Sequence, residues 1–420
     1  MDLPPMSDAA LGRAFGTPPY RWLAHGVFDD DPPTHLDDGI VVALEKLALP
    51  RGRSRPAADH LRSHAEAGAS SLGLRARNRV LRMVTNDPKT ILPTHAALYR
   101  DGTPELAFTA YPSAQARMAG DVAMLGAPPS ARDAVRAMTD RVGRDLKAAL
   151  DSGDFTHLLV MAMGWSNDQR VSLARYRRIT QEARNAAGNR PFRPFILGVT
   201  WPSAWGSDGG SLARRAGHIG SYFNKANDSD EAGLVVANIL LNRVVPGANA
   251  TARLPVIVIG HSMGARLLSR ALFSRPLLRD PGPRADPDLM ILLQPAFSTR
   301  RFLGGTGVEG APYARGAWRG ADAMPATRIV VTSSDKDRAN PFAAWSRFLG
   351  SGRGIRLSRR HPGTFAVSKP TLASGAAADW ALAAPRDRIA LVDATFVTHH
   401  NDILDAELGT FVRRLIDPPG

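Results

Sequence analysis

Along most of the chain, short runs of consecutive apolar residues alternate with longer stretches whose apolar positions recur every three or four residues. The runs read as strands: Arg79 to Val84, His95 to Tyr99, Leu106 to Tyr111, His157 to Met161, Phe195 to Thr200, Leu254 to Ile259, Leu289 to Leu293, Ile329 to Thr332 and Ile389 to Val392. Asp101-Gly102 marks a hairpin turn between two of them. The periodic stretches read as helices. In Ala134 to Leu150 the spacing of Val135, Met138, Val142, Leu146 and Leu150 lays one apolar stripe along a helix. Others are expected over an arginine-containing stretch ending near Ala187, and over Asp228 to Val244, Ala265 to Phe273 and Ile403 to Ile416. Val256-Ile257-Val258-Ile259 has no polar side, which is how a strand buried on both faces looks. Strand and helix in alternation predict an α/β fold with a mostly parallel sheet covered on both sides.

Residues 1–78 settle into no period. Proline recurs there, and Arg51, Arg53, Arg55 and Arg62 cluster, so a weakly ordered basic extension is expected, with one helix near Gly39 to Leu47. No aromatic residues interleave with those arginines as a nucleic-acid stacking site requires, and a solvated tail is the reading taken. Residues 79–420 are expected as one domain. Within it 297–324 and 341–385 are long for connections and are expected as lid insertions.

The segment that carries chemistry is Gly260-His261-Ser262-Met263-Gly264, set between an apolar strand and a helical stretch. A turn from strand to helix this tight strains the residue at its apex, and glycines two positions to either side remove side chains that would collide. The serine hydroxyl is thereby lifted above the carboxyl end of the sheet. From about Arg79 to Ile416 the chain resembles the α/β-hydrolase superfamily of serine hydrolases, and Trp201-Pro202-Ser203 and Ser334-Asp335-Lys336-Asp337-Arg338-Ala339 resemble a bacterial subgroup of mostly unassigned function.

That resemblance implies a nucleophile, an acid and a histidine in that chain order. A serine hydroxyl needs a base within hydrogen-bond reach and a carboxylate to orient it. Ser262 is the expected nucleophile. The base falls on the pair after the last strand, His400 with His399 as its alternate; the acid falls on Asp337, favoured by the subgroup-like Asp-Arg-Ala pattern, with Asp335 as its alternate. Asn401-Asp402 is expected to cap the helix that follows. The backbone N–H of Met263 is the first expected oxyanion donor. Relatives carry His-Gly-X after an earlier strand, where this chain reads Met163-Gly164-Trp165-Ser166-Asn167, so Trp165 N–H is the second expected donor and Asn167 the substitute for the missing histidine's hydrogen bonds. Trp201 and Trp205 are expected to wall the substrate pocket.

Composition narrows the chemistry further. The 420 residues include no cysteine, which removes thiolate nucleophiles, disulfides and cysteine-held metals. The formal charge of +14 is almost all arginine scattered beside Ala, Gly and Pro, a compositional background, and no nucleic-acid partner is expected. No run approaches the roughly 18 apolar residues of a membrane span. Met1 to Tyr20 has neither a leading basic run nor an apolar block, so no secretory signal is expected and a cytoplasmic location is the default. Gly304-Gly305-Thr306-Gly307 is followed by no Lys-Ser/Thr and is rejected as a phosphate loop, and no metal or other cofactor is expected. The function expected is hydrolysis of a carboxylic ester or thioester, small or lipid-like, through an acyl-enzyme. The rivals are acyl transfer on the same triad and a non-enzymatic binding protein of the same fold.

Overall fold

A computed structural model describes residues 35–48, 89–109, 131–164, 167, 169–188, 190–201, 203, 225–226, 228–278, 282, 284–303, 326–337, 348–400 and 402–418. Ten strands form one sheet: β1 (Gly39–Ala48), β2 (Lys89–Arg100), β3 (Thr103–Thr109), β4 (His157–Ala162), β5 (Pro194–Thr200), β6 (Val256–His261), β7 (Leu289–Leu293), β8 (Arg328–Ser333), β9 (Phe365–Val367) and β10 (Ile389–Asp393). Their order across the sheet is β3-β2-β1-β5-β4-β6-β7-β8-β10-β9. Only β2 opposes its neighbours; all other pairs are parallel. The expected α/β class with a mostly parallel sheet is what the chain forms. Every residue of β5, β6, β7 and β10 is buried, as continuous apolar runs require when helices cover both faces.

The helices are α1 (Ala131–Asp151), α2 (Gln169–Asn185), α3 (residues 228–248), α4 (Met263–Phe273), α5 (Gly352–Arg359), α6 (Ser374–Ala383) and α7 (Ala406–Ile416). Right-handed crossovers decide which face each one covers. The chain steps one way across the sheet from β4 to β5 through α2, and the other way from β5 to β6 and β7 through α3 and α4, so α2 lies opposite α3 and α4. The contacts agree: α1 packs on α3 and α3 on α4, while α2 and α6 both pack on α7. The carboxyl ends of β4, β6, β8 and β10 therefore meet at one edge, where the loops carrying the candidate residues emerge.

The helix expected over Gly39 to Leu47 is instead β1, an interior strand. It pairs antiparallel with β2 and parallel with β5, from Gly39 opposite Ile196 to Ala43 opposite Thr200. Ile40, Val41, Val42 and Leu44 are all buried, so both faces of the strand are covered and no apolar–polar alternation marks it; its register with β2 shifts at Ala43/Leu44. The segment ahead of residue 79 thus supplies part of the sheet. Residues 1–34 and 49–78 of that extension and the expected strand Arg79 to Val84 lie outside the described residues.

Asp101 and Gly102 form the expected hairpin turn, with φ of 47° and 77°. Of the two expected insertions, 297–324 is described only to residue 303. From residue 348 the second one is described, and there β9 pairs with β10 at the edge of the sheet and α6 packs on α7. Helix α3 contains two wider π segments, Gly233–Ala237 and Leu240–Val244, which its periodicity does not announce. No helix among the described residues is long and apolar enough to cross a membrane.

Candidate active site

Strand β6 ends at His261 and α4 begins at Met263, which leaves Ser262 alone at the turn with φ 55° and ψ −116°. L-residues avoid that region at a cost of about 1–3 kcal/mol, and it persists only where the surroundings over-determine it. Here they do. Ser262 N–H donates to the Leu293 carbonyl at 2.9 Å, and the Ser262 carbonyl accepts from Ala296 N at 3.1 Å and Arg266 N at 3.3 Å. A Cβ at Gly260 would come within 2.5 Å of Ala265 Cα, and one at Gly264 would strike the Ala162 carbonyl, so both glycines are sterically required. From α3, Ser229 Oγ donates to the Met263 carbonyl at 2.7 Å, clamping the Met263–Gly264 peptide.

Two further loops converge on this turn. Neighbouring strands β8 and β10 deliver Asp337 and His400, whose Oδ2 and Nδ1 lie 2.6 Å apart. The pair is largely buried, with 8% of the Asp337 side chain and 20% of the His400 side chain exposed. Ser334 Oγ ties the two loops by donating to the Val397 carbonyl at 2.7 Å. Asp335 and His399 are both exposed. The Asp402 carboxylate accepts from Thr398 N at 2.8 Å, Thr398 Oγ1 at 2.5 Å and His399 N at 2.5 Å. It closes the turn behind it, whereas the sequence suggested a cap for the helix ahead; that helix, α7, starts four residues later with Asp405 at its N-cap position. Asn401 lies outside the described residues.

The loop carrying His400 rests on the turn itself. His261 Nε2 is 3.0 Å from the His400 carbonyl oxygen, and the two rings lie 4.6 Å apart, tilted by 47°. A carbonyl only accepts, so His261 is the donor and carries its proton on Nε2. Burial holds the His261 pKa well below the ordinary histidine value, with the charges of His400 and Arg175 acting in the same direction; the ring is neutral. Its Nδ1 is buried and finds no hydrogen-bond partner.

On the other side of Ser262 comes the loop after β4. A Cβ on Gly164 would sit 2.7 Å from Ser262 Cβ and 3.2 Å from its Oγ, so only glycine lets this backbone pass the serine. Asn167 Nδ2 donates to the Gly164 carbonyl at 2.8 Å, and Asn167 N to Ser203 Oγ at 3.1 Å, while Ser203 Oγ donates back to the Asn167 carbonyl. Trp201 is 5% exposed and its Nε1 donates to the Met163 carbonyl at 2.8 Å, so its polar edge braces this loop from beneath. Trp165 and Trp205 lie outside the described residues.

Behind the turn, the fully buried Asp230 of α3 receives Arg266 of α4 at 2.6 Å and Arg301 at 2.9 and 3.0 Å, with Arg270 Nε 3.5 Å away. Burial opposes its ionisation, yet the guanidinium groups of Arg266, Arg301 and Arg270 hold the carboxyl well below the usual range. Sequence reading did not find this cluster, nor the contacts of Ser229 and His261; the only signal was their nearness to the Gly-x-Ser-x-Gly turn or to the helix packed on it. Among the described residues no group of three or more His, Asp or Glu side chains is placed to hold a metal ion.

No family model and no curated protein matches the chain. Among solved structures it is similar to TT1662 from Thermus thermophilus, at 15% identity over 62% of this chain and 88% of that one, with a TM-score of 0.31. It is also similar to the RedJ thioesterase of the prodiginine biosynthetic pathway in Streptomyces coelicolor, at 17% identity over 62% and 87% of the two chains, with a TM-score of 0.23.

Proposed function

We propose that the chain is a serine hydrolase of the α/β-hydrolase type that cleaves a carboxylic ester or thioester through an acyl-enzyme on Ser262. The observation that carries this reading is the Asp337–His400 hydrogen bond, with the loop that carries His400 seated on a strained serine turn. Asp337 keeps the His400 proton on Nδ1 and leaves Nε2 free to take the proton of Ser262 Oγ as that oxygen attacks the substrate carbonyl carbon. The oxyanion that forms is held by the backbone N–H groups of Met263 and Trp165, each such donor being worth about 2.7–4 kcal/mol. Collapse of the tetrahedral species expels the alcohol or thiol, which takes its proton from His400. Water then attacks the ester, with His400 again as base, and Ser262 is regenerated.

The close passage of Gly164 past Ser262, with Asn167 fastening its carbonyl, supports this loop as the donor of the second N–H even without the histidine that relatives place before the glycine. A fluorophosphonate probe should label the protein once, on Ser262. Ser262→Ala should abolish both that label and the turnover of nitrophenyl esters, a loss on the order of 10⁶-fold as for removal of other catalytic serines. Ester turnover that survives Ser262→Ala rules the reading out.

A further inference from the structure

We infer that His261 is a positioning residue for the base: its ring, by donating Nε2–H to the His400 carbonyl, sets the place of the His400 backbone over the serine turn. The inference rests on the hydrolase reading above. Two contacts on the same residue lead to it. The 3.0 Å hydrogen bond fixes the His400 main chain, and the 4.6 Å ring approach restricts the plane of the His400 imidazole, while Asp337 fixes its tautomer from the far side. His261 is 1% exposed and sits at the last position of β6, so its own backbone is held by the sheet and cannot follow a wandering loop. Asp402 and Ser334 hold the residues before His400, where Thr398 and His399 are exposed, and His261 is the contact made to the His400 carbonyl itself.

The bond also explains a cost that packing alone would not carry. To donate from Nε2 while uncharged, His261 must leave the lone pair of Nδ1 buried without a partner, which is unfavourable. A residue chosen for volume at this position would be an apolar one.

The test compares His261→Gln, whose amide nitrogen reaches about as far as Nε2, with His261→Met, of similar volume but with no donor. Two readouts are taken on the whole chain: the rate of fluorophosphonate labelling, and the far-downfield proton of the His400–Asp337 hydrogen bond in the proton NMR spectrum. Unfolding temperature is recorded alongside them. In His261→Met, labelling should slow by between about ten- and a hundredfold, as a misplaced catalytic group costs, and the downfield proton should broaden or disappear. In His261→Gln both should stay close to the parent. Equal labelling rates and an unchanged downfield proton in the two variants overturn the inference, as does a tenfold loss in His261→Gln, which also decides the case if His261→Met does not fold. Failure of the parent protein to label sinks the hydrolase reading instead, and the NMR comparison still reports on His261.

Discussion

Gly164 has no chemistry of its own, yet it shows how little room surrounds the serine. A methyl group there would press on both Cβ and Oγ of Ser262. Gly164→Ala should therefore depress fluorophosphonate labelling by about a hundredfold, the cost of displacing a reacting group by roughly an ångström, while the midpoint of thermal unfolding shifts by only a few degrees. Labelling kinetics beside a melting curve would separate the two effects. At this scale the sequence was legible in part. Ser262 could be read from the spacing of Gly260 and Gly264, because the turn is local and its steric demands are written within five residues. Asp337 was preferred to Asp335, and His400 to His399, on pattern alone; that Asp337 and His400 meet while Asp335 and His399 are exposed follows from how two loops close, which no local pattern states. That closure depends on Asp402 gripping Thr398 and His399, and on Ser334 bonding Val397 across two strands.

At the scale of elements, the turn is held by the helix behind it. Asp230 on α3 gathers Arg266 and Arg270 from α4 and Arg301 from the segment after β7, so one carboxylate joins three pieces of chain around the base of the serine helix. Asp230→Ala would leave these guanidinium groups buried beside an uncharged methyl, and should destabilise the fold by about 3–5 kcal/mol, measured by denaturant unfolding. A change within 1 kcal/mol would contradict this account of the cluster. Most elements were legible because their apolar runs are unbroken, as in β6 and β7, or strictly periodic, as in α1. Strand β1 was not: Ile40, Val41, Val42, Leu44 and Leu47 fit a helical stripe as well as a strand, and its partners β2 and β5 lie far along the chain. Pairing across such distances overrides local preference.

For the whole molecule, the buried histidines set the response to acid. Burial lowers the His95 pKa to about 4, and His261 and His157 are lowered in the same sense, so each binds its proton more readily in the unfolded chain. The sign follows: their contribution is intact above the ordinary histidine pKa of 6.5 and is lost as pH falls from 6.5 toward 4. His95 alone should account for about 3 kcal/mol across that window. Asp230 adds its own loss only further down, in the carboxylate range. Denaturant midpoints at pH 7 and pH 4.5 should differ strongly, and His95→Phe should flatten the dependence; a flat profile in the parent chain contradicts it. The placement of β1 has a consequence for biosynthesis. Its position between β2 and β5 cannot be filled until β5, Pro194–Thr200, has been made, so on the ribosome a strand that opens on the apolar run Ile40 to Leu44 waits with one edge open while the chain between them is synthesised. Nascent chains halted before Thr200 should be the ones that chaperones hold and proteases cut within Gly39–Ala48, and those halted after the β5 residues clear the exit tunnel should not.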